Sequence, residues 1–176
     1  GTEPSYPEVR NFHPARGRFF TADDMKDAAR VCAIGDTVKE DLFPDESAIG
    51  KQILVRGELF QVIGVMEKKG ANQMTDMDDQ IFIPITTGYS TLFGLNTVTG
   101  QAVKMVLARA KDGQDLQAQF QITNLLRLRH GIKSPDQDDF MIRTQMDIMQ
   151  TAQSITGVFS LLLGATAGIS LVVGGI

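Results

Sequence analysis

The chain has 176 residues, with 21 acidic and 17 basic side chains and a formal net charge of −4. That balance offers no surface for a polyanion and excludes nucleic acid as an expected partner. The single cysteine, Cys32, excludes an internal disulfide; it lies in the apolar run VCAI, where a free thiol behaves as a small buried hydrophobe.

Residues 1–20 carry Pro4, Pro7 and Pro14 among several aromatics, a composition that predicts extended segments and loops. Thr21, followed by Ala22, Asp23 and Asp24, is a helix cap with acidic residues in the first turn, and the helix should end before Arg30. Residues 30–34 suit a buried strand. Gly35 breaks it, Asp36 can cap a helix over 37–42, and Pro44 ends that helix, with Val38, Leu42 and Phe43 as its apolar side. Alternation around Ile53 and Val55, a turn at Gly57 and alternation around Phe60 and Val62 predict a β-hairpin. Gly64 inside its second strand marks a bulge or a close backbone approach. Residues 71–79 are a polar loop. Residues 80–85 form a strand whose Pro84 favours an edge or a strand end. Residues 86–101 have no clean period beyond a short helix or turn near 90–93.

Residues 103–109 (VKMVLAR) then predict a strand, 115–130 a helix, and 139–144 (DFMIRT) a second strand. Asp115 in the first helical turn, Arg127, Arg129 and His130 in the last, and Gly131 as the stop all agree with the helix dipole and capping rules. Strand, helix and strand of these lengths predict a crossover unit. The fold class expected is α+β, a mixed α/β chain with a βαβ unit and a smaller β-rich subdomain.

From Ile148 onward no side chain is charged, and from Ile155 the only polar groups are hydroxyls. Such a run has roughly the 20 residues that a bilayer-spanning helix needs. A soluble core helix of this length nearly always shows a polar stripe. Gly164 and Gly168 form a small-xxx-small pair, expected to pack helix against helix in lipid. The chain begins at Gly1 and stops at Ile176 without a charged flank, so it is expected to be a piece of a longer membrane protein.

No catalytic constellation is legible. His13 and His130 are far apart in sequence, and His130 is assigned to the helix terminus. AIGKQ has Gly-Lys but neither the upstream glycine nor the following Ser or Thr of a phosphate loop. The clusters 76–79 and 136–139 lack calcium-loop spacing and are expected to be solvated turns. Met66, Met74 and Met77, with no His or Cys nearby in sequence, are assigned to packing. No catalytic, cofactor or metal residue is therefore expected.

The pieces EVRNFHPARGRFFTADD, VCAIGDTVKEDLF, IGKQILVRGELFQVIGVMEKKG, DDQIFIPITT and LLRLRHGIKSPDQDDFMIRTQMDIMQT, followed by LLLGATAGISLVVGGI, occur in one order along the chain. In that order they resemble the extracytoplasmic core of MacB-like ABC transporter permeases, within the broader FtsX-like group. The resemblance implies an inserted subdomain and its junctions over 1–102, the returning half of a porter-like subdomain over 103–145, a stalk over 146–154, and the start of a membrane helix over 155–176. It implies a bacterial inner-membrane location with residues 1–154 on the periplasmic side. The expected role is binding of substrate or adaptor and mechanotransmission for export, without enzyme activity of its own. ATP and magnesium would be bound by a partner, the cytoplasmic ABC ATPase. The other implied partners are a second permease copy or paralogue, membrane lipid, and a periplasmic adaptor with an outer-membrane channel. Alternatives are a permease of the FtsX or lipoprotein-release type, acting on a cell-wall hydrolase or a lipoprotein, and a membrane-tethered sensor or hydrolase domain.

Overall fold

One long strand carries the first part of the molecule. The computed structural model describes residues 1–72, 75–94, 103 and 105–175, with the side chains of 71, 72, 75, 171 and 172 left aside. The chain divides into two compact units, Gly1–Arg109 and Ala110–Ile176.

In the first unit the elements run α1 (Tyr6–Arg10), β1 (Pro14–Gly17), α2 (Ala22–Lys26), β2 (Val31–Ile34), α3 (Asp36–Leu42), β3 (Gln52–Val55) and β4 (Glu58–Met66). A short ladder, β5 (Ala71–Asn72) with β6 (Thr75–Asp76), is followed by β7 (Ile81–Phe82), α4 (Ile85–Thr87) and a π-helical turn, Gly88–Phe93. The strand β4 has three partners. On one edge β3 pairs antiparallel with its first half (Gln52 opposite Gln61), and β1 pairs antiparallel with its end (Gly17 opposite Gly64). On the other edge β2 runs parallel to it, and β7 closes the sheet beyond β2. The predicted hairpin therefore forms, turning at Arg56 and Gly57, both with positive φ.

The sheet is covered on both faces. Cys32, Ile34, Phe60 and Val62 pack with Val38 of α3 and Ala48 in one cluster. Ala33 and Met66 pack with Phe12, Phe20, Met77 and Phe82 in the other. Val62 and Val65 face the same cluster although they are three residues apart. Strict alternation would put them on opposite faces. The register explains the change: Cys32 sits opposite Val62, but Ala33 sits opposite Gly64, so one residue of β4 is extra. A Cβ on Gly64 would lie 2.3 Å from the Arg18 carbonyl oxygen, so both readings of this glycine, bulge and close approach, hold.

Several expectations change. Residues 1–20 are not all extended: Pro7, whose fixed φ suits a helix start, stands in the first turn of α1, and Asn11 closes it in the left-handed region. The polar loop 71–79 contains the β5–β6 ladder. Asp78 is buried rather than solvated. Its carboxylate accepts the Lys69 and Gly70 N–H groups, each at 2.8 Å, and its carbonyl accepts the Thr37 N–H at 3.1 Å. Leu42 points outward and is 52% exposed, so the expected apolar side is kept by Val38, which is buried, and by Phe43, which packs against the same cluster.

The second unit holds α5 (Asp115–His130), a 3-10 turn (Pro135–Gln137) and α6 (Gln145–Gly174). The helix α5 has the predicted bounds and ends on Gly131 at φ +69°, whose N–H returns to the Arg127 carbonyl. Neither flanking strand forms: the described residues of 103–109 and all of 139–144 lie outside any ladder, and so the expected βαβ crossover is not closed. A strand exists only through its neighbour's hydrogen bonds. The apolar alternation of Val103, Met105 and Leu107 is present without a partner strand among the described residues.

Gly64→Ala should destabilise the first unit by about 1–3 kcal/mol, since backbone must move to admit the methyl group. A urea midpoint equal to that of the parent would contradict the close approach. A second expectation concerns Asp24. Its side chain receives two hydrogen bonds from Arg18 and one from the Thr21 N–H, closing a capping box on α2, and its pKa is lowered to about 2, chiefly by the Arg18 bonds. A depressed carboxyl stabilises the fold above its ordinary value near 3.9, and that share is lost as the pH falls through about 2. Asp24→Asn should cost about 1 kcal/mol at neutral pH and flatten this acid limb of the stability curve.

Candidate functional site

The longest element has the least cover. The helix α6 opens with a reciprocal cap: the Thr144 N–H donates to Asp147 Oδ2 at 2.8 Å and the Asp147 N–H to Thr144 Oγ1 at 3.1 Å. It then runs without a break to Gly174, about 45 Å at the standard helical rise. From Gln145 to Ser170 it is long and apolar enough to cross a membrane. None of that span is buried by the rest of the chain. Val158, Phe159, Leu161, Leu163 and Ile169 are each more than half exposed. A core helix would be covered on these faces. The hydroxyls of Thr151, Ser154, Thr156 and Thr166 each donate to the carbonyl four residues earlier, which satisfies them without water.

Gly164 and Gly168 lie one turn apart on this helix, and a Cβ on either would meet nothing within 4 Å. Their side is open to close approach by another helix.

Between α5 and α6 the chain is tied back by side chains. Arg127 Nε and Nη2 donate to the two carboxylate oxygens of Asp138 at 2.7 and 2.6 Å. These bonds hold the Asp138 carboxyl below the usual carboxylate range. His130 Nδ1 meets Asp139 at 2.8 Å, and its ring faces the Phe140 ring edge to face at 6.2 Å. The cluster 136–139 is thus not a solvated turn throughout. In sequence, Arg127 and His130 read only as cations at a helix end. Their carboxylate partners lie beyond Gly131, at a spacing that no helical rule connects.

The first unit holds a half-open cavity of about 910 Å³. Tyr6, Tyr89 and Phe93 line it together with Val103, Met105 and Leu107, and Glu3, Arg56 and Gln80 supply polar groups. Its size falls in the range of small-molecule sites, and its wall suits an apolar occupant. The sequence hid it because its walls come from segments 100 residues apart with no common motif.

The remaining candidates are structural. His13 Nδ1 lies 3.9 Å from Glu8, and the His13 backbone N–H donates to the Glu67 carboxylate at 3.2 Å. Lys51 of AIGKQ pairs with Glu46 and sits over the Phe43 ring at 5.1 Å. Met66 and Met77 are buried in the aromatic cluster; Met74 lies outside the described residues. Among the described residues no three His, Cys, Asp or Glu side chains gather as a metal site.

A mixed α/β unit and a bare apolar helix define a folded domain attached to a membrane-competent span. The MacB-like periplasmic core domain profile matches residues 1–125, and the chain belongs to that family. It is 38% identical to a macrolide export ATP-binding/permease protein, MacB, of Marinobacter nauticus, over 97% of this chain and 25% of that protein. It is 35% identical to a pyoverdine export ATP-binding/permease protein, PvdT, of Pseudomonas fluorescens, over 100% of this chain and 26% of that protein. The chain thus spans about a quarter of the length of the curated relatives it matches. Among solved structures it resembles the periplasmic region of MacB from Actinobacillus actinomycetemcomitans, with a TM-score of 0.66 at 23% identity over 86% of this chain and 63% of that one. It also resembles the extracellular domain of the noncanonical ABC-type transporter YknZ from Gram-positive bacteria, with a TM-score of 0.55 at 20% identity over 76% of this chain and 64% of that one. Both likenesses confirm the mixed α/β fold.

Cys32 is fully buried between sheet and helix, and desolvation pushes its thiol up to about 12. Maleimide at pH 7 should leave it unlabelled until the first unit is unfolded in denaturant. Rapid labelling of the native chain would contradict this packing.

Proposed function

We propose that this chain is the extracytoplasmic and stalk segment of an ABC export permease in a bacterial inner membrane. Residues 1–154 lie on the periplasmic side, and 155–176 begin a membrane helix. Its work is mechanical: a cytoplasmic ABC ATPase drives motion that α6 carries outward, in keeping with relatives described as ATP-binding/permease proteins. A second permease copy approaches along the Gly164–Gly168 side of α6. The chain itself binds neither ATP nor magnesium, and catalyses nothing.

The observation that carries this reading is the continuity of α6. It is one helix from its cap at Thr144 to Gly174, without glycine or proline from Gln145 to Thr156. Such a helix passes displacement along its axis, whereas a flexible linker absorbs it. The relatives are named for macrolide and pyoverdine export, and we assign this chain a bulky small-molecule cargo of that kind, passed on through a periplasmic adaptor and an outer-membrane channel.

Residues 103–145 are the returning half of a porter-like subdomain. The exposed Val103, Met105 and Leu107, and residues 139–144, support this, because both segments have strand composition and no ladder partner among the described residues. Strands from parts of the protein outside this chain would pair with them and cover the apolar wall of the cavity.

A Gly-Pro insertion after Gln150 in the full-length transporter should abolish export while ATP hydrolysis continues. Export and coupling at the parental level would rule out the stalk.

A further inference from the structure

Motion leaving α6 toward α5 must pass residues 131–144, which form no strand and only one short 3-10 turn. A bare connection of that length would take up displacement rather than pass it on.

We propose that Arg127 and Asp138 form a mechanical clasp that couples α6 to α5; this rests on the force-transmission reading above. The bond pattern is the first reason. Both carboxylate oxygens are engaged, at 2.7 and 2.6 Å, by Nε and Nη2 of one planar guanidinium. Two parallel bonds fix orientation as well as distance, which a single bond cannot do. Burial is the second. The side chains are only 29% and 22% exposed, against 40% and 61% for the neighbouring His130–Asp139 pair. Exposed single-bonded pairs hold little, and bidentate, partly covered ones are the exception. His130 and Asp139 therefore assist, and Arg127 and Asp138 bear the load.

Position is the third reason. Arg127 stands in the last turn of α5, so its backbone is fixed by that helix. Asp138 ends the 3-10 turn, and the cap of α6 begins at Thr144. With the clasp closed, the free connection shrinks from 131–144 to 139–144, and within it Phe140 is held against the His130 ring. Both residues are positioning residues.

The test uses the full-length transporter with its ATPase in lipid nanodiscs. Spin labels placed at Gln117→Cys on α5 and Gln150→Cys on α6 report the distance between the helices by pulsed electron resonance. With labelled chains diluted into unlabelled ones so that only distances within one copy are read, the parent should give one narrow distribution, both nucleotide-free and trapped with ATP and vanadate. Arg127→Gln and Asp138→Asn should each broaden it about twofold, because the planar fork no longer fixes the connection. The exchanged pair, Arg127→Asp with Asp138→Arg, should narrow it again, which a misfolded unit could not do. Single variants as narrow as the parent, or broadening that the exchange does not reverse, would overturn the clasp. The force-transmission reading is judged separately, from a label at Gln150→Cys alone: a distance between two copies that ignores ATP would sink that reading, whatever the width between α5 and α6.

Discussion

The structure depends on the backbone hydrogen-bond ladder of α6. A helix satisfies its own N–H and C=O groups, so it can leave water without a partner. Here that property is used over 30 residues, and the hydroxyls along it are folded back onto the same ladder. The exposed faces of Val158, Phe159, Leu161 and Ile169 would be unfavourable in water, at about 1.5–3 kcal/mol per large side chain left unburied. In hydrocarbon the same faces are matched to their surroundings. On the function proposed above, one ladder supplies both the anchor and the rod.

The first unit solves a different problem. A mixed sheet needs cover on both faces, and β4 supplies it by changing phase once, at Ile63–Gly64. Before that point Phe60 and Val62 fill the cluster under α3; after it Met66 turns to the aromatic cluster of Phe12, Phe20 and Phe82. Glycine at 64 is required by the Arg18 backbone above it, not by φ. Asp78 then fixes the turn that follows β4 and its packing beside Gly35, where a Cβ would lie 2.0 Å from the Asp78 carbonyl oxygen. The result is a compact unit with its one thiol sealed inside.

What the sequence revealed follows from range. Local rules found Thr21 as a cap with acidic residues after it, Gly131 as a stop, the hairpin turn at Gly57 and the apolar run after Ile155, since each is specified within a few residues. The family pattern was also legible, because several such pieces occur in order. Two failures share one cause. Residues 103–109 and 139–144 have strand composition, but pairing is decided by a neighbour, and no composition reports whether that neighbour is present. Asp78 and Asp138 were read as solvated because their partners, the Lys69 amide and the Arg127 guanidinium, lie 9 and 11 residues away. The cavity between Tyr6 and Leu107 was invisible for the same reason over a longer distance.

The central claim is that α6 is one rigid helix entering lipid from a folded, water-exposed domain. Single spin labels stepped from Met149 to Ile169 in the reconstituted full-length protein, with accessibility to oxygen and to a water-soluble nickel reagent measured at each, test it most directly. The account predicts nickel access up to about Ser154, followed by a steady rise in oxygen access toward the middle of the apolar run, with a helical period throughout. Nickel access at that level across Val158–Ile169, or a break in the period near Ile155, would contradict it.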